Sequence, residues 1–394
     1  MSGLDVFVND RTGESGRGRS TDAAVARLDE APISFHRRLD GYVPTPLVET
    51  VSLASLLGVG SVLVKDESSR FGLPAFKVLG ASWAVYRAVT ERAGTSLEPW
   101  TDVRELSERI AAHRPLTLSA ATDGNHGRAV ARVASMLGLG ARIYVPKNTV
   151  AARISAIESE GASCEVVDGS YDDAVRRSAC DAGPACLVIS DTSWPGYTAV
   201  PAWVIDGYST IFYELDDQLD ARSTVDSVCE VDVVVVPIGV GALAAAAVRH
   251  LAQPGRRRPM IVGVEPTGAA CVLESVRAGE LITLEGPQDS IMAGLNCGTP
   301  SEIALPVVAA GIDAFVAIED APVRQAMRDL AAAGIVSGET GAAALAGISE
   351  LLASPDASWL RDYLGLGPTS TVLLLSTEGA TDPVAYAEIV GGER

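Results

Sequence analysis

A chain of 394 residues exceeds what one ordinary hydrophobic core supports, so two domains with a cleft between them are expected. With 47% hydrophobic and 21% charged residues, it can offset the entropy of ordering its backbone, which excludes disorder over most of its length. A formal charge of -19 opposes phosphate backbones and anionic lipid surfaces, so neither nucleic acid nor a membrane is an expected partner, although a glycine turn can still hold one small anion.

Residues 1–34 read as an N-terminal arm that lacks the apolar stretch of a signal peptide, and no later run is long and apolar enough to span a bilayer. A cytoplasmic protein is therefore expected. Short β-branched runs then alternate with Ala- and Leu-rich stretches: SVLVKDE at 61–67, TLSAAT at 117–122, ARIYVP at 141–146, CEVVD at 164–168 and CLVISD at 186–191. Further on come VDVVVVPIG at 231–239, MIVGVEP at 260–266, AFVAIED at 314–320 and TVLLLSTEG at 371–379. This alternation predicts an α/β protein with two open, twisted, mostly parallel sheets covered by helices. Several runs are apolar at nearly every position, as strands covered on both faces should be. A large domain of residues 35–81 plus 196–394, with residues 82–195 inserted as a small domain, would place the site in the cleft between them, outside the carboxyl ends of the strands.

Only three of the 31 basic residues are lysines. Lys65 and Lys147 lie beside acidic or turn residues and read as solvated surface charges, whereas Lys77 follows Gly and Pro punctuation in R-F-G-L-P-A-F-K-V-L-G and opens an apolar helix. An apolar shell favours the neutral amine that attacks an aldehyde, although a snorkelling helix lysine would present the same local pattern. S-A-A-T-D-G-N-H-G at 119–127 is a strand end turning into a helix N-terminus, whose free amides can receive a carboxylate, where Asn125 can hydrogen-bond a ligand and His126 reads as structural. G-V-G-A-L at 239–243 follows a strong strand and forms a phosphate cradle from Gly239, Val240, Gly241, Ala242 and Leu243. Asp123 and Asp191, taken as bare positions, read as helix caps or turn acids, and the same caution covers Glu265 and Ser376. The six cysteines have no C-x-x-C spacing and read as buried thiols; the four histidines have no metal-binding spacing, so no metal is expected. Neither a G-x-x-x-x-G-K-[ST] nor a G-x-S-x-G sequence occurs, which disfavours P-loop nucleotide chemistry and α/β-hydrolase acyl transfer.

In order along the chain, F-H-R-R-L-D-G-Y-V-P-T-P-L, F-G-L-P-A-F-K-V-L-G, T-D-G-N-H-G, D-T-S-W-P-G-Y, V-E-P, I-M-A-G-L-N-C-G-T-P-S, S-G-E-T-G-A and S-T-E-G-A-T-D resemble the tryptophan-synthase-like, fold-type-II pyridoxal-phosphate enzymes. Many members of that superfamily carry serine where this chain has Asp123, so T-D-G-N-H-G together with D-T-S-W-P-G-Y resembles the diaminopropionate ammonia-lyase branch. The resemblance implies pyridoxal 5'-phosphate as cofactor, bound as a Schiff base by Lys77. It also implies that Asn125 contacts the cofactor's 3-oxygen, residues 239–243 hold its phosphate and Ser376 faces its pyridine nitrogen, where a neutral hydroxyl favours elimination at the β-carbon. Asp123 would act as an acid/base group alongside Lys77, with Thr122 and Asp191 binding a small amino-acid substrate. The implied reaction is α,β-elimination of ammonia from 2,3-diaminopropionate to give pyruvate and two ammonia, by a homodimer. Pro74, Trp83 and Thr340 depart from the family pattern, leaving open a serine or threonine dehydratase, a β-replacement synthase, or a non-catalytic amino-acid-binding relative.

Overall fold

A computed structural model describes residues 4–9, 29–122, 124–223, 230–253, 257–355 and 357–392. Eleven strands form among them: β1 (Asp5–Val8), β2 (Leu47–Glu49), β3 (Ser61–Asp66), β4 (Thr117–Ala121), β5 (Gly140–Pro146), β6 (Ser163–Val167), β7 (Cys186–Val188), β8 (Val233–Pro237), β9 (Met260–Pro266), β10 (Ala314–Ile318) and β11 (Thr371–Ser376). All nine apolar runs become strands. They divide into a seven-stranded sheet of order β1-β10-β9-β8-β11-β3-β2 and a four-stranded sheet of order β6-β5-β4-β7. The four-stranded sheet is parallel throughout, and in the larger one only the edge strands β1 and β2 pair antiparallel.

β1 corrects the expectation of an arm. Asp5–Val8 pairs with β10 from Asp5↔Ala317 to Val8↔Ala314, and Phe7 packs on Phe315 with ring centroids 6.5 Å apart. Residues 31–34 also open a short helix, Ala31–His36, whereas the arm's residues 1–3 and 10–28 lie outside the described residues.

In the large sheet's central strands, successive side chains point to opposite faces and both faces are covered. Val234 and Val236 enter one apolar cluster, Val233 and Val235 the other. The first cluster also takes Leu118 of β4 and Ile143 of β5, so one apolar core reaches from sheet to sheet. Helix Val78–Ala93 runs through it against helix Ala199–Arg222. Their crossing is closed by glycine: a Cβ on Gly207 would stand 2.6 Å from the Leu79 carbonyl oxygen, and one on Gly80 would stand 2.6 Å from the Tyr208 ring. That crossing fixes the helix whose N-cap is Lys77.

Two expectations fail. Lys65, read as a solvated charge, is wholly buried, because its ammonium pairs with Glu214 at 2.9 Å and donates to the Thr45 carbonyl at 2.8 Å. Lys147 is exposed beside Asp168, as expected. Not all the thiols are buried: Cys271 and Cys297 are, Cys164 and Cys186 are half-buried and Cys180 is exposed, since its helix ends at the surface; Cys229 lies outside the described residues.

Candidate active site

Three strand-to-helix turns converge on one cavity. Lys77 caps helix Val78–Ala93, and its approach segment is pinned to the turn after β11: Gly379 donates its N–H to the Pro74 carbonyl at 2.9 Å, and Ala75 bridges Glu378. Lys77 Nζ donates to Asp191 Oδ2 at 2.7 Å, with the Phe76 and Tyr208 rings 5.4 and 6.0 Å away. Asp191 is 4% exposed. Burial by itself would raise its carboxyl pKa, but the Lys77 charge beside it and His126 reverse this and hold it well below the usual carboxylate range. The Tyr171 hydroxyl donates to the other carboxylate oxygen at 3.0 Å. His126, whose Nδ1 lies 3.9 Å from Asp191, pairs through Nε2 with the Ile189 carbonyl at 2.8 Å, and burial pushes its pKa down.

The second turn leaves β4 at Ala121 and enters helix Asn125–Leu137. Thr122 Oγ1 accepts from the Gly124 N–H at 2.8 Å; Asp123 lies outside the described residues. Asn125 donates through Nδ2 to Glu378, whose other oxygen accepts the Thr340 N–H at 3.0 Å. A carboxylate from the far end of the chain thus aligns the amide.

The third turn joins β8 to helix Ala242–Leu251, with Gly241 at φ +97 as N-cap, a left-handed conformation that glycine adopts readily. The first turn of such a helix leaves N–H groups without intrahelical acceptors, which suits a phosphate. A Cβ on Gly239 would stand 3.1 Å from the Gly294 carbonyl oxygen and 3.4 Å from Cys297 Sγ, so bare backbone forms the wall there. Gly239→Ala is therefore expected to weaken cofactor binding about tenfold and, because the added Cβ presses on the protein's own backbone, to lower the apoprotein's melting temperature as well, as equilibrium dialysis and calorimetry would show.

Lys77, Thr122, Asn125, Asp191 and all five residues from Gly239 to Leu243 line this one cavity. Ser376 stands behind it, buried and hydrogen-bonded to Ser337 at 2.8 Å, while Thr377 and Glu378 form the wall at that strand end. Of the three departures, Thr340 lines the cavity and accepts the Gly294 N–H at 3.1 Å, Pro74 makes the backbone pairing above, and Trp83 packs on Phe35 with centroids 5.4 Å apart. Sequence reasoning did not assign Tyr171 or Glu378 to the site and read His126 as structural, yet all three line the cavity. Glu378 carried a usable signal, since it ends the same strand run as Ser376; Tyr171 merely opens a helix with an ordinary capping box.

A lysine amine, a glycine-rich N–H turn and an amide donor around one cavity fit a phosphorylated aldehyde. Residues 38–358 match the family of pyridoxal-phosphate dependent enzymes. Diaminopropionate ammonia-lyase of Escherichia coli (strain K12) is 36% identical over 365 residues, which are 90% of this chain and 89% of the relative. The fold matches the crystal structure of Escherichia coli diaminopropionate ammonia lyase in complex with D-serine at a TM-score of 0.86 and 33% identity, covering 98% of this chain and 96% of that one. The same enzyme in complex with an aminoacrylate-PLP azomethine reaction intermediate matches at 0.83 and 32% identity, with the same coverage. With the cavity's geometry, these similarities establish that the chain belongs to the fold-type-II pyridoxal-phosphate-dependent enzymes and, among them, to the diaminopropionate ammonia-lyase family.

Proposed function

We propose that the enzyme eliminates ammonia from 2,3-diaminopropionate, consuming one water and releasing pyruvate and two ammonia. The observation that carries this reading is the ion pair of Lys77 with Asp191, a buried carboxylate held ionised in a cavity that also contains a phosphate cradle. Bound pyridoxal phosphate would supply the electron withdrawal that acidifies the substrate's α-proton.

The protein's own groups do the rest. Lys77 would hold the cofactor's aldehyde carbon, and its free amine would be a base for the substrate's α-proton. Asp191 then exchanges the lysine for the substrate's second ammonium group, a charge-assisted pairing that a hydroxyl could not match. Asp123 is assigned proton transfer to the departing amine, on the strength of the family pattern. Thr122, on the cavity wall, would bind the substrate, Asn125 is held in orientation by Glu378, and the Gly239–Leu243 amides would bind phosphate. Ser376, already paired with Ser337, offers a neutral hydroxyl behind the wall. The same reading includes a cytoplasmic homodimer, with residues 82–195 as a small domain; the four-stranded sheet lies wholly within 117–188, which supports that division. Among the described residues no helix is long and apolar enough to cross a membrane.

A coupled pyruvate assay on D- and L-diaminopropionate, serine and threonine tests the proposal. Diaminopropionate is expected to be turned over fastest, and faster pyruvate release from serine would overturn it. Asp123→Asn is expected to impair the two isomers unequally, since two different bases, Lys77 and Asp123, would act on them. Equal loss on both would remove Asp123 from the α-proton step.

A further inference from the structure

Beside the reaction cavity lies a second one whose walls include Lys147, Asn148, Arg153, Tyr171, Ser290 and Glu339. Tyr171 lines both cavities, and Glu339 precedes Thr340, which lines the first, so the second is a vestibule to the site. Glu339 is 5% exposed, and its Oε2 has no hydrogen-bond partner among the described residues. A buried carboxylate oxygen without a partner is rare in a folded protein, and each instance calls for an explanation. The chain holds this one in place: Glu378 accepts the N–H of Thr340, the very next residue.

The surroundings select the missing partner. Burial is the largest influence disfavouring the charge of Glu339, Glu378 and Asp382 add negative potential there, and Arg153 offsets part of it. An anion would meet three carboxylates. A neutral hydroxyl would satisfy the oxygen without offsetting its charge. A protonated amine does both.

We infer that Glu339 is an ammonium-binding carboxylate of the vestibule, which takes the side-chain ammonium of the incoming diamino acid and selects it over the hydroxyl of serine. This rests on the proposed substrate. The inference makes Glu339 a specificity-determining residue that contributes, with Asp191, to holding the substrate's side-chain ammonium.

The test is a spectral titration of the holoenzyme with 2,3-diaminopropionate and with serine of the same configuration, following the cofactor's absorption in wild type and Glu339→Gln. The apparent Kd for diaminopropionate should rise at least about tenfold, and that for serine no more than about twofold. Equal shifts for both ligands, or no shift for either, would overturn the inference. Inhibition by ammonium chloride separates the two sources of an ammonium group: a changed Ki with an unchanged Kd for diaminopropionate would make Glu339 a product site and also overturn it. Because the spectral change does not require pyruvate release, a wild type that binds diaminopropionate but releases no pyruvate would sink the proposed reaction while the Kd comparison still decides Glu339. Glu339→Gln is isosteric and removes an unpaired charge, so its melting temperature should be no lower than wild type. If it does not accumulate, Glu339→Asp should weaken diaminopropionate binding at least about threefold and leave serine unchanged.

Discussion

Lys77→Ala is expected to lower pyruvate release by at least about 10³-fold, because one side chain both anchors the cofactor and moves the α-proton. It should also abolish the covalent retention of cofactor after borohydride treatment, which peptide mapping detects at Lys77 in the wild type. Position explains why no other amine substitutes. Lys65 is locked between Glu214, Gln218 and the Thr45 carbonyl, and Lys147 is exposed at the outer edge of the vestibule, against Asp168. Lys77→Arg separates charge from chemistry: it keeps a cation for Asp191 but cannot form the Schiff base, so it should fold as wild type and remain inactive. Turnover within tenfold of wild type in Lys77→Ala would refute the assignment.

What the sequence made legible follows from how far each signal reaches along the chain. The central strands β8, β9, β10 and β11 were readable because both faces of the large sheet are covered, which writes burial into consecutive residues, whereas the mostly exposed β6 was readable only from its β-branched run. β1 and β2 span four and three residues at antiparallel edges, too short to carry a pattern. Lys77 was readable from its own neighbours, the glycine and proline before it and the apolar helix after it. The pairing of Asn125 with Glu378 spans 253 residues, and that of Lys65 with Glu214 spans 149, so no local window could show either. For Lys65 the adjacent Asp66 and Glu67 even pointed the wrong way. They suggested solvent where the fold supplies buried counter-charges.

That buried charge cluster sets the second large effect. Arg70 donates from Nε and Nη2 to Glu67 at 2.9 and 2.6 Å, and from Nη1 and Nη2 to Glu214 at 2.6 and 2.9 Å. Lys65 completes a group of two cations and two anions, each residue at most 2% exposed. Burial alone would lower the guanidinium pKa, but Glu67 and Glu214 reverse this, and the two cations hold Glu214 below its usual range against its own burial. Arg70→Leu would leave two carboxylates sharing one ammonium in the interior, so a loss of about 3–5 kcal/mol of stability is expected, measurable by urea denaturation. Arg70→Lys keeps the charge but not the planar fork and should lose less, though not nothing. The damage should also reach the chemistry, because Arg70 and Leu73 exchange backbone hydrogen bonds at 2.8 and 2.9 Å in the turn that delivers the chain to Lys77. Glu67→Gln/Arg70→Leu, which removes one carboxylate along with the arginine and keeps the Lys65–Glu214 pair, should recover part of the stability lost in Arg70→Leu. If Arg70→Leu alone were within 1 kcal/mol of wild type, the cluster would be dispensable and the positioning of Lys77 would rest on the Gly80–Gly207 helix crossing instead.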